Sequence, residues 1–497
     1  MSSARYEFSE GTSNKFWEIK LTPRDPSLTT TFGKIGGSGQ TTIKKFGSAA
    51  DAKKEHDKLV AEKVKKGYKH APAKAAKADK PAAKAAKGAK AAPEAKPAKG
   101  KKATVADESG TRDARNPELE KAILGNPNDR DAYAVYADWL MEKGDPRGEL
   151  ISLQLGNKDG QAKKLIEMHA EYFLGPLAAH QKVYDDNGNN ASSSLRSPAQ
   201  EKEWLKLADQ ALFWRHGFIH RVRLSHNTYS ESGFTGKLAQ VLEQVFAHPS
   251  GRFVVELAFH SNGDPNEDDL QTLIDVIGKK APPTIRKITF GDNVDQISWH
   301  HTGKLDKMWK AVPNLRTLDI ESGEFDVGKM VAPKLEKARF ITGGLSGGCA
   351  KSIATAQMPA IKHLEIYYGT DEYGGTSTIK DVKPLLDRTD LPKLEYLGLK
   401  NAEFMNEIAK AMPTAKILKQ LKTLDLSLGT MTDEGAVAMA AHADAFKHLE
   451  VLDLTRNFLT KKGITAVKNL AKKVITGGQE QADEDDGDPR YYVSVAE

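Results

Sequence analysis

The most regular feature of the hydrophobic pattern is an apolar triplet spaced i, i+3, i+5 that occurs nine times after residue 218. Successive triplets begin 20 to 35 residues apart. They are Ile219/Val222/Leu224, Val254/Leu257/Phe259, Ile285/Ile288/Phe290, Leu315/Leu318/Ile320, Leu335/Ala338/Phe340, Ile361/Leu364/Ile366, Leu394/Leu397/Leu399, Leu421/Leu424/Leu426 and Leu449/Leu452/Leu454. The last two positions of each triplet point to one side of a β-strand, and the flanking residues point to the other. Each interval therefore predicts one short strand and one helix.

No such unit can bury its apolar face alone, so the units must stack into a continuous core. The pattern resembles a leucine-rich repeat. We predict that residues 216–497 form an α/β solenoid, a ribonuclease-inhibitor-like horseshoe, with a C-terminal cap. The acidic stretch Glu480 to Asp488 is expected to be a disordered loop, and Tyr491–Val495 is expected to be the strand that caps the final repeat.

Charged and aromatic residues occupy the outward positions of these strands and would line the concave face of the solenoid. They are mostly basic in the early units and mostly acidic in the later ones, a gradient that suits a polar protein partner bound in one orientation. The predicted protein-binding residues are Arg221, Arg223, Lys287, Asp319, Arg339, Glu365, Tyr367, Tyr396, Asp425 and Asp453. The alternative is that these side chains are simply solvated.

The first 70 residues show the alternation of a small sheet followed by a helix. Half-buried strands are predicted around Tyr6, over Phe16–Leu21 and over Thr29–Gly36, and a helix is predicted from the N-cap Ser48 to Gly67. Residues 1–70 are thus expected to form a small α+β domain.

Three segments of this domain resemble a WGR domain: Lys15–Glu18, Phe32–Gly36 and Lys66–Tyr68. In DNA-break-responsive ADP-ribosyltransferases the aromatic-Gly-basic motif of this domain contacts DNA. The resemblance implies these roles for Phe32 and Lys34, with Lys44 and Lys45 as phosphate contacts. The chain has Phe for Trp and Lys for Arg in the motif, so it lacks the indole donor and the bidentate fork of arginine. The alternative for Phe32 is a core aromatic of the sheet.

Positive charge is concentrated near the N-terminus. The net charge of the chain is +6, yet residues 1–70 carry 14 Lys/Arg against 8 Asp/Glu, and residues 71–102 carry 10 against 2. The segment 71–111 is predicted to be a disordered linker, because its Lys, Ala, Pro and Gly residues cannot bury enough apolar surface to offset ordering. Such a tail would bind DNA by counterion release. The alternative is a solubilising spacer.

The helical segment predicted over residues 112–215 begins with the N-cap Asn116 and contains the sequences Tyr136–Leu140 and Gly144–Glu149. This pair is similar to a bacterial helical domain that commonly precedes divergent leucine-rich repeats. Asp138, Arg147 and Glu149 are a candidate site, although helix capping and ion pairing explain them as well.

Motifs of catalysis are not found. The Gly-x4-Gly-Lys-Ser/Thr, Gly-x-Gly-x-x-Gly and His-Glu-x-x-His patterns do not occur, and His300 and His301 have no third ligand at helical spacing. The single cysteine, Cys349, excludes an internal disulfide framework and has no activating partner in the sequence. No metal, cofactor or membrane segment is expected, and the predicted location is the cytoplasm.

Together these patterns predict a non-catalytic bacterial adaptor. Residues 1–102 would associate with DNA or another polyanion, and the repeats would hold an unidentified protein. The alternative is a repeat protein that binds only proteins and whose WGR-like module has no contact with DNA.

Overall fold

The computed structural model describes residues 2–10, 13–22, 27–34, 40–45, 48–65, 69–71, 113–180, 210–226, 238–261, 270–291, 297–485 and 488–496. The chain divides into two compact units, Met1–Ala103 and Thr104–Glu497. The predicted linker lies outside the described residues, except for its first residue.

The first unit is an antiparallel sheet with one helix, in the strand order β4-β3-β2-β1-β5. Its elements are β1 (Ser2–Glu10), β2 (Ser13–Thr22), β3 (Ser27–Lys34), β4 (Gln40–Lys45), α1 (Ala49–Lys65) and β5 (Lys69–Ala71). Trp17 and Ile19 alternate onto the face where Leu59 and Val60 of α1 pack. The sequence does not predict β5, which pairs with β1 and extends the sheet into the predicted linker as far as Ala71.

Residues 113–180, the first described part of the second unit, contain five α-helices. They are α2 (Pro117–Gly125), α3 (Arg130–Glu142), α4 (Pro146–Leu155), α5 (Asp159–Met168) and α6 (Ala170–Phe173). Asn116 caps α2 as predicted, because its side-chain oxygen accepts the N–H of Leu119. Leu150 and Phe173 belong to the same hydrophobic core as the first triplet of the repeats, so this segment covers the beginning of the solenoid.

A large sheet follows, in the order β18-β17-β16-β15-β14-β13-β11-β9-β8-β7-β6. Its strands are β6 (Leu212–Arg215), β7 (Phe218–His226), β8 (Glu256–Ser261), β9 (Lys287–Phe290), β11 (Thr317–Glu321), β13 (Lys337–Ile341), β14 (His363–Gly369), β15 (Tyr396–Ala402), β16 (Thr423–Asp425), β17 (Val451–Asp453) and β18 (Lys473–Ile475). All neighbouring strands are parallel except β6, which is antiparallel to β7. Helical character therefore does not extend to residue 215 as predicted, because Leu212 lies opposite Val222 and extends the sheet.

The nine triplets form the strands that the spacing predicts. Each of their 27 residues is no more than 4 % exposed, and their middle positions lie side by side across the sheet, as in the pairs Leu318–Ala338 and Leu397–Leu424. β18 continues the nine triplet strands as a tenth parallel strand, with Val474 beside Leu452 of β17; the sequence does not predict it. A large parallel sheet with helices packed on its triplet side fits an α/β solenoid.

The helices between these strands are α7 (Leu238–Ala247), α8 (Leu270–Lys280), α9 (Gly347–Ala354), α10 (Ile379–Leu386), α11 (Met405–Ala411), α12 (Asp433–Ala440) and α13 (Lys461–Val467). The prediction of one helix in every interval is wrong in two places among the described residues. The interval between β9 and β11 has a short strand, β10 (His301–Lys304), and the interval between β11 and β13 has another, β12 (Glu324–Asp326), where the spacing predicts a helix. The two short strands satisfy their backbone groups by pairing with each other in parallel, so a two-stranded sheet forms here.

The C-terminal segment differs from the prediction. The last strand of the large sheet is β18. β19 (Asp483–Asp485) lies within the stretch expected to be disordered and pairs in antiparallel with β20 (Asp488–Arg490), which begins at the last residue of that stretch. Residues 491–496 form no strand and instead reach back to β15, where Val495 binds the side chain of Asn401. The side chain of Asn401 pairs with both the N–H and the C=O of Val495, so these groups need no strand partner in the sheet.

Candidate functional site

The face of the large sheet opposite the triplets carries the predicted protein-binding residues; we call it the open face. Its central row, read across neighbouring strands, is Asp319, Arg339, Glu365, Gly398, Asp425 and Asp453. Neighbouring strands lie about 4.8 Å apart, so adjacent members of this row are in contact distance. The alternation that selects these residues from the sequence therefore does place them side by side.

Lys400 connects the central row, although the sequence analysis did not select it. Its Nζ lies 3.2 Å from Oε1 of Glu365 and 3.3 Å from Oδ2 of Asp425. Gly398 stands between these two carboxylates, and a Cβ at that position would lie 3.3 Å from both the Lys400 and the Glu365 side chains. The missing side chain thus leaves the space that the lysine stem crosses. The register pairs Lys400 with Tyr367, so the same alternation would have identified it.

Aromatic rings flank this ion-pair network. The Tyr396 hydroxyl donates to Oδ2 of Asp425 at 2.6 Å. The rings of His363 and Tyr396 stack with centroids 3.9 Å apart, and Nε2 of His363 lies 3.4 Å from Oε2 of Glu365. Lys400 lies over the ring of Tyr367, 5.1 Å from its centroid. The acidic groups of the open face are therefore held in fixed positions.

The pKa values of the network reflect these contacts. Burial alone would raise the pKa of Glu365, but the hydrogen bond from His363 and the charges of Lys400 and Arg339 lower it to about 2. Burial alone would lower the pKa of Lys400, but Asp425, Tyr367 and Glu365 raise it above its ordinary value. Burial raises the pKa of Tyr367 to about 12. Glu365 and Lys400 are thus both charged at neutral pH.

Arg339 and Asp319 form a second pair on the same row, with Nε of Arg339 2.6 Å from Oδ1 of Asp319. Burial alone would lower the pKa of Arg339, and Asp319 raises it. Asp453 accepts the backbone N–H of Thr455 at 2.9 Å. Several of the predicted residues therefore form ion pairs or hydrogen bonds within this unit.

Arg223 and Tyr367 are less accessible than the prediction requires. Arg223 is 1 % exposed, and its backbone N–H donates to Ala211, at the start of the segment that forms β6. Tyr367 is 2 % exposed and shares a small apolar cluster with Val495 of the C-terminal tail. Arg221 and Lys287, on the early strands, are only partly buried.

The four predicted nucleic-acid-binding residues lie on two neighbouring strands of the first unit. Phe32 and Lys34 are at the end of β3, where they stand opposite Trp17 and Lys15 of β2. Lys44 and Lys45 are at the end of β4, opposite Leu28 and Ser27 at the other end of β3. Because the strands are antiparallel, Phe32 and Lys44 are separated by four residues along β3, roughly 13 Å. The structure therefore groups these residues as two pairs.

The residues proposed as a site in the helical segment do not come together. Arg147 is buried and donates to the backbone oxygen of Gly217 at 2.7 Å and to Oγ of Ser250 at 3.1 Å. Asp138 and Glu149 are both exposed. These positions support the structural explanation.

Potential metal ligands are dispersed in the described part of the chain. No group of three or more His, Cys, Asp or Glu side chains there has the arrangement of a metal site. His301 begins β10 and lies 3.5 Å from Oε2 of Glu324. Burial raises the pKa of Cys349 to about 12, which disfavours the thiolate. Among the described helices, none has the length and apolar character that a bilayer crossing requires.

Comparison with known proteins gives one family match at the N-terminus and one near the C-terminus. Residues 3–75 match the WGR domain family, and residues 419–440 match a leucine-rich repeat family. The uncharacterized protein YfeS of Escherichia coli strain K12 is 38 % identical over 68 residues, which are 14 % of this chain and 27 % of that protein. Protein YehF of the same strain is 43 % identical over 61 residues, 12 % of this chain and 22 % of that protein. The chain thus spans about a quarter of the length of these relatives.

A crystal structure from Bacteroides fragilis aligns over 100 % of this chain and 99 % of its own, with 19 % identity and a TM-score of 0.45. That similarity is too low to define the fold. The resemblance of residues 112–215 to a bacterial helical domain stays a prediction. The protein carries a WGR domain at its N-terminus and a leucine-rich repeat near its C-terminus.

Proposed function

We propose that this protein is a non-catalytic adaptor whose N-terminal part associates with DNA and whose repeats hold a protein on the open face, the concave face of a horseshoe. The observation that carries the proposal is the WGR match over residues 3–75, because this domain type is associated with nucleic-acid binding. The basic composition of residues 1–102 supports it, since phosphate neutralisation provides affinity without sequence readout.

The second half of the proposal is supported by the network around Lys400. A partner surface binds most tightly where the groups it meets are already ordered, because less side-chain entropy is lost on association. Glu365, Asp425 and Tyr396 are held by hydrogen bonds and ion pairs to one another or to Lys400. The basic residues Lys287 and Lys337 stand in a neighbouring row of the same face, which provides charges of both signs for orientation.

Gel-shift titration of linear duplex DNA with the full chain tests the nucleic-acid half. We expect a shift at low salt that weakens steeply as salt rises. Phe32→Ala with Lys34→Ala should weaken it if the aromatic-Gly-basic motif binds DNA, and Lys44→Ala with Lys45→Ala should weaken it if β4 supplies phosphate contacts. The control is Lys53→Ala with Lys54→Ala at two exposed positions of α1, which removes two charges as the Lys44/Lys45 variant does; Lys53→Ala alone matches the single charge lost in the Phe32/Lys34 variant.

A second candidate function, binding of proteins alone, is favoured by one observation: the motif has Phe and Lys where Trp and Arg stand in the family. In that case both double variants and the control would shift DNA equally. Deletion of residues 71–102 then tells whether the remaining affinity resides in the linker.

Affinity purification with the full chain tests the protein half. Lys287→Glu with Lys337→Glu should reduce recovery of a specific partner, because it reverses the charge of the early strands on the open face. The control reverses two exposed lysines away from this face, Lys393→Glu with Lys416→Glu. Equal recovery with both double variants would contradict docking on the open face.

A further inference from the structure

The C-terminal tail is bound by its backbone to the second unit. Val495 donates its N–H to Oδ1 of Asn401 at 2.9 Å, and its carbonyl accepts from Nδ2 of Asn401 at 2.5 Å. Ser494 donates its N–H to the carbonyl of Leu428 at 3.0 Å. A side-chain amide that binds both the N–H and the C=O of one residue recognises an extended backbone, whatever side chain that residue carries.

An apolar seat receives the side chain of Val495. It is formed by Ile297, Ile341, Tyr367 and Leu428, of which Ile341 and Tyr367 are almost completely buried. Tyr367 also lies beneath Lys400, so the seat is continuous with the network of the open face. The same residue thus contacts both the tail and the ion-pair network.

The two residues that hold the tail have unusual backbone geometry. Asn401 has φ of 54° and Leu428 has φ of 69°, a left-handed conformation that is rare for leucine. Arg456, at the equivalent position of the next repeat, has φ of 52°, so this conformation belongs to the turns that follow these strands. The tail binds two of these turns, through the side-chain amide of Asn401 and the carbonyl of Leu428.

A glycine makes room for the next residue of the tail. A Cβ at Gly343 would lie 2.0 Å from the carbonyl oxygen of Ala496, and its two next nearest atoms also belong to Ala496. Any side chain at position 343 would therefore clash first with the backbone of Ala496. Only a backbone can approach this closely.

We propose that this seat, formed by Asn401, Leu428, Gly343 and the apolar cluster around Tyr367, is a binding site for an extended peptide segment of a partner protein, and that the C-terminal tail is its resident competitor. The partner segment would carry a β-branched aliphatic residue between two small ones, as Val495 stands between Ser494 and Ala496. This inference rests on the proposed protein-binding function and names the recognition element of that surface.

Full-chain variants and a labelled peptide test the proposal by fluorescence anisotropy. The peptide is Arg-Tyr-Tyr-Val-Ser-Val-Ala-Glu, the sequence of residues 490–497. Val495→Asp removes the apolar anchor of the tail and should leave the seat open, so this variant should bind the peptide saturably. The unsubstituted chain should bind at least about tenfold more weakly, because its own tail is present at a high effective concentration.

Two further substitutions in the Val495→Asp chain probe the seat itself. Asn401→Asp keeps the size and the tolerance of positive φ but removes the donor, and Gly343→Ala fills the space of Ala496; each should abolish peptide binding. The matched control is Tyr492→Ser, a change at a tail residue that is 47 % exposed, and it should behave as the unsubstituted chain does. A peptide with Asp at the Val495 position should not bind.

Failure of the Val495→Asp chain to bind the peptide while its thermal unfolding is unchanged would overturn the proposal. So would binding that is insensitive to both Asn401→Asp and Gly343→Ala. A dimer of the unsubstituted chain in sedimentation experiments that Val495→Asp dissociates would assign the seat to a second copy and would equally overturn it. None of these outcomes affects the DNA shift or the charge-reversal test, so the proposed function is judged separately.

Discussion

Lys400 shows how one residue sets the electrostatic state of the open face. Glu365 and Asp425 are both nearly buried, and the lysine is within 3.3 Å of each. Two carboxylates at low exposure are costly unless a cation compensates them. The lysine therefore contributes more through the groups it neutralises than through any charge it offers to solvent.

Lys400→Met should lower the free energy of unfolding by about 2 to 4 kcal/mol at pH 7, because it leaves buried carboxylates without their cation. Denaturant unfolding measures this. Adding Glu365→Gln should restore part of the loss. The matched control is Lys422→Met, which removes an exposed lysine paired with Glu395 and should leave stability unchanged. A loss that is equal in the two lysine variants would contradict a special role for Lys400.

The acid sensitivity of the protein should change with the same substitution. The folded-state pKa of Glu365, about 2, is below its ordinary value of 4.5, so its contribution to stability is present above pH 4.5 and is lost as pH falls toward 2. Lys400→Met raises that pKa and should flatten the decrease over this range. Unfolding free energies measured between pH 2 and pH 6 test this, and an unaltered slope would contradict it.

The open face also shows what the sequence reveals at residue level. Alternation along each strand is local, so it correctly selects the positions of Arg339, Glu365 and Asp425. Which side chains meet across strands depends on register between units of unequal length. The role of Lys400 arises from the gap at Gly398, which only becomes visible once β14, β15 and β16 are side by side.

At the scale of elements, Arg147 joins the helical segment to the first repeats. Its guanidinium lies against the rings of Tyr172, Phe173 and Phe218 while it bonds Gly217 and Ser250. Those partners come from α6, the entry to β7 and the turn before β8. One side chain on α4 therefore fixes the junction of three elements.

Arg147→Leu should reduce the free energy of unfolding by about 2 to 4 kcal/mol, since the carbonyl of Gly217 and the hydroxyl of Ser250 lose a charged donor in a buried place. Thermal or denaturant unfolding of the full chain provides the measurement. Lys164→Met on the exposed side of α5 serves as the control and should have no effect. Stability equal to that of the control would show that the junction does not depend on Arg147.

The elements themselves were predicted unevenly. The triplets identify nine strands because three buried positions at fixed spacing leave little ambiguity. β10 and β12 carry no triplet and are short and polar, so they become strands only by pairing with each other. The same holds for the tail, whose apolar residues at 491, 493 and 495 look like a strand until Asn401 provides a different partner for Val495.

Over the whole molecule, the second unit contains a hydrophobic core that extends continuously from Leu150 to Leu470. In the described residues, one apolar cluster runs through all the repeats, as expected for units that pack on their neighbours. Local damage in the middle should consequently be felt throughout the array.

Leu397→Ala should lower the unfolding free energy of the second unit by about 2 to 5 kcal/mol, because it opens a cavity at a fully buried position. We expect the array to unfold in one transition, detectable by calorimetry. Val437→Ala, at a position that is 44 % exposed, is the control and should leave the transition in place. Splitting of the transition in the Leu397 variant would contradict a single cooperative core.

The two borders of the large sheet differ from its interior: β6 reverses the strand direction on one side, and β18 ends the other with three residues that include Lys473. A translated copy of a repeat must keep the direction of its neighbours, so the border at β6 offers no starting point for further copies. β18 keeps the parallel direction, but a three-residue edge strand that carries a lysine is a poor template for another strand. Growth of such a protein by tandem duplication would thus have to occur between interior strands. Changes in the length of the array would alter the spacing between its basic and acidic regions while both ends stay as they are.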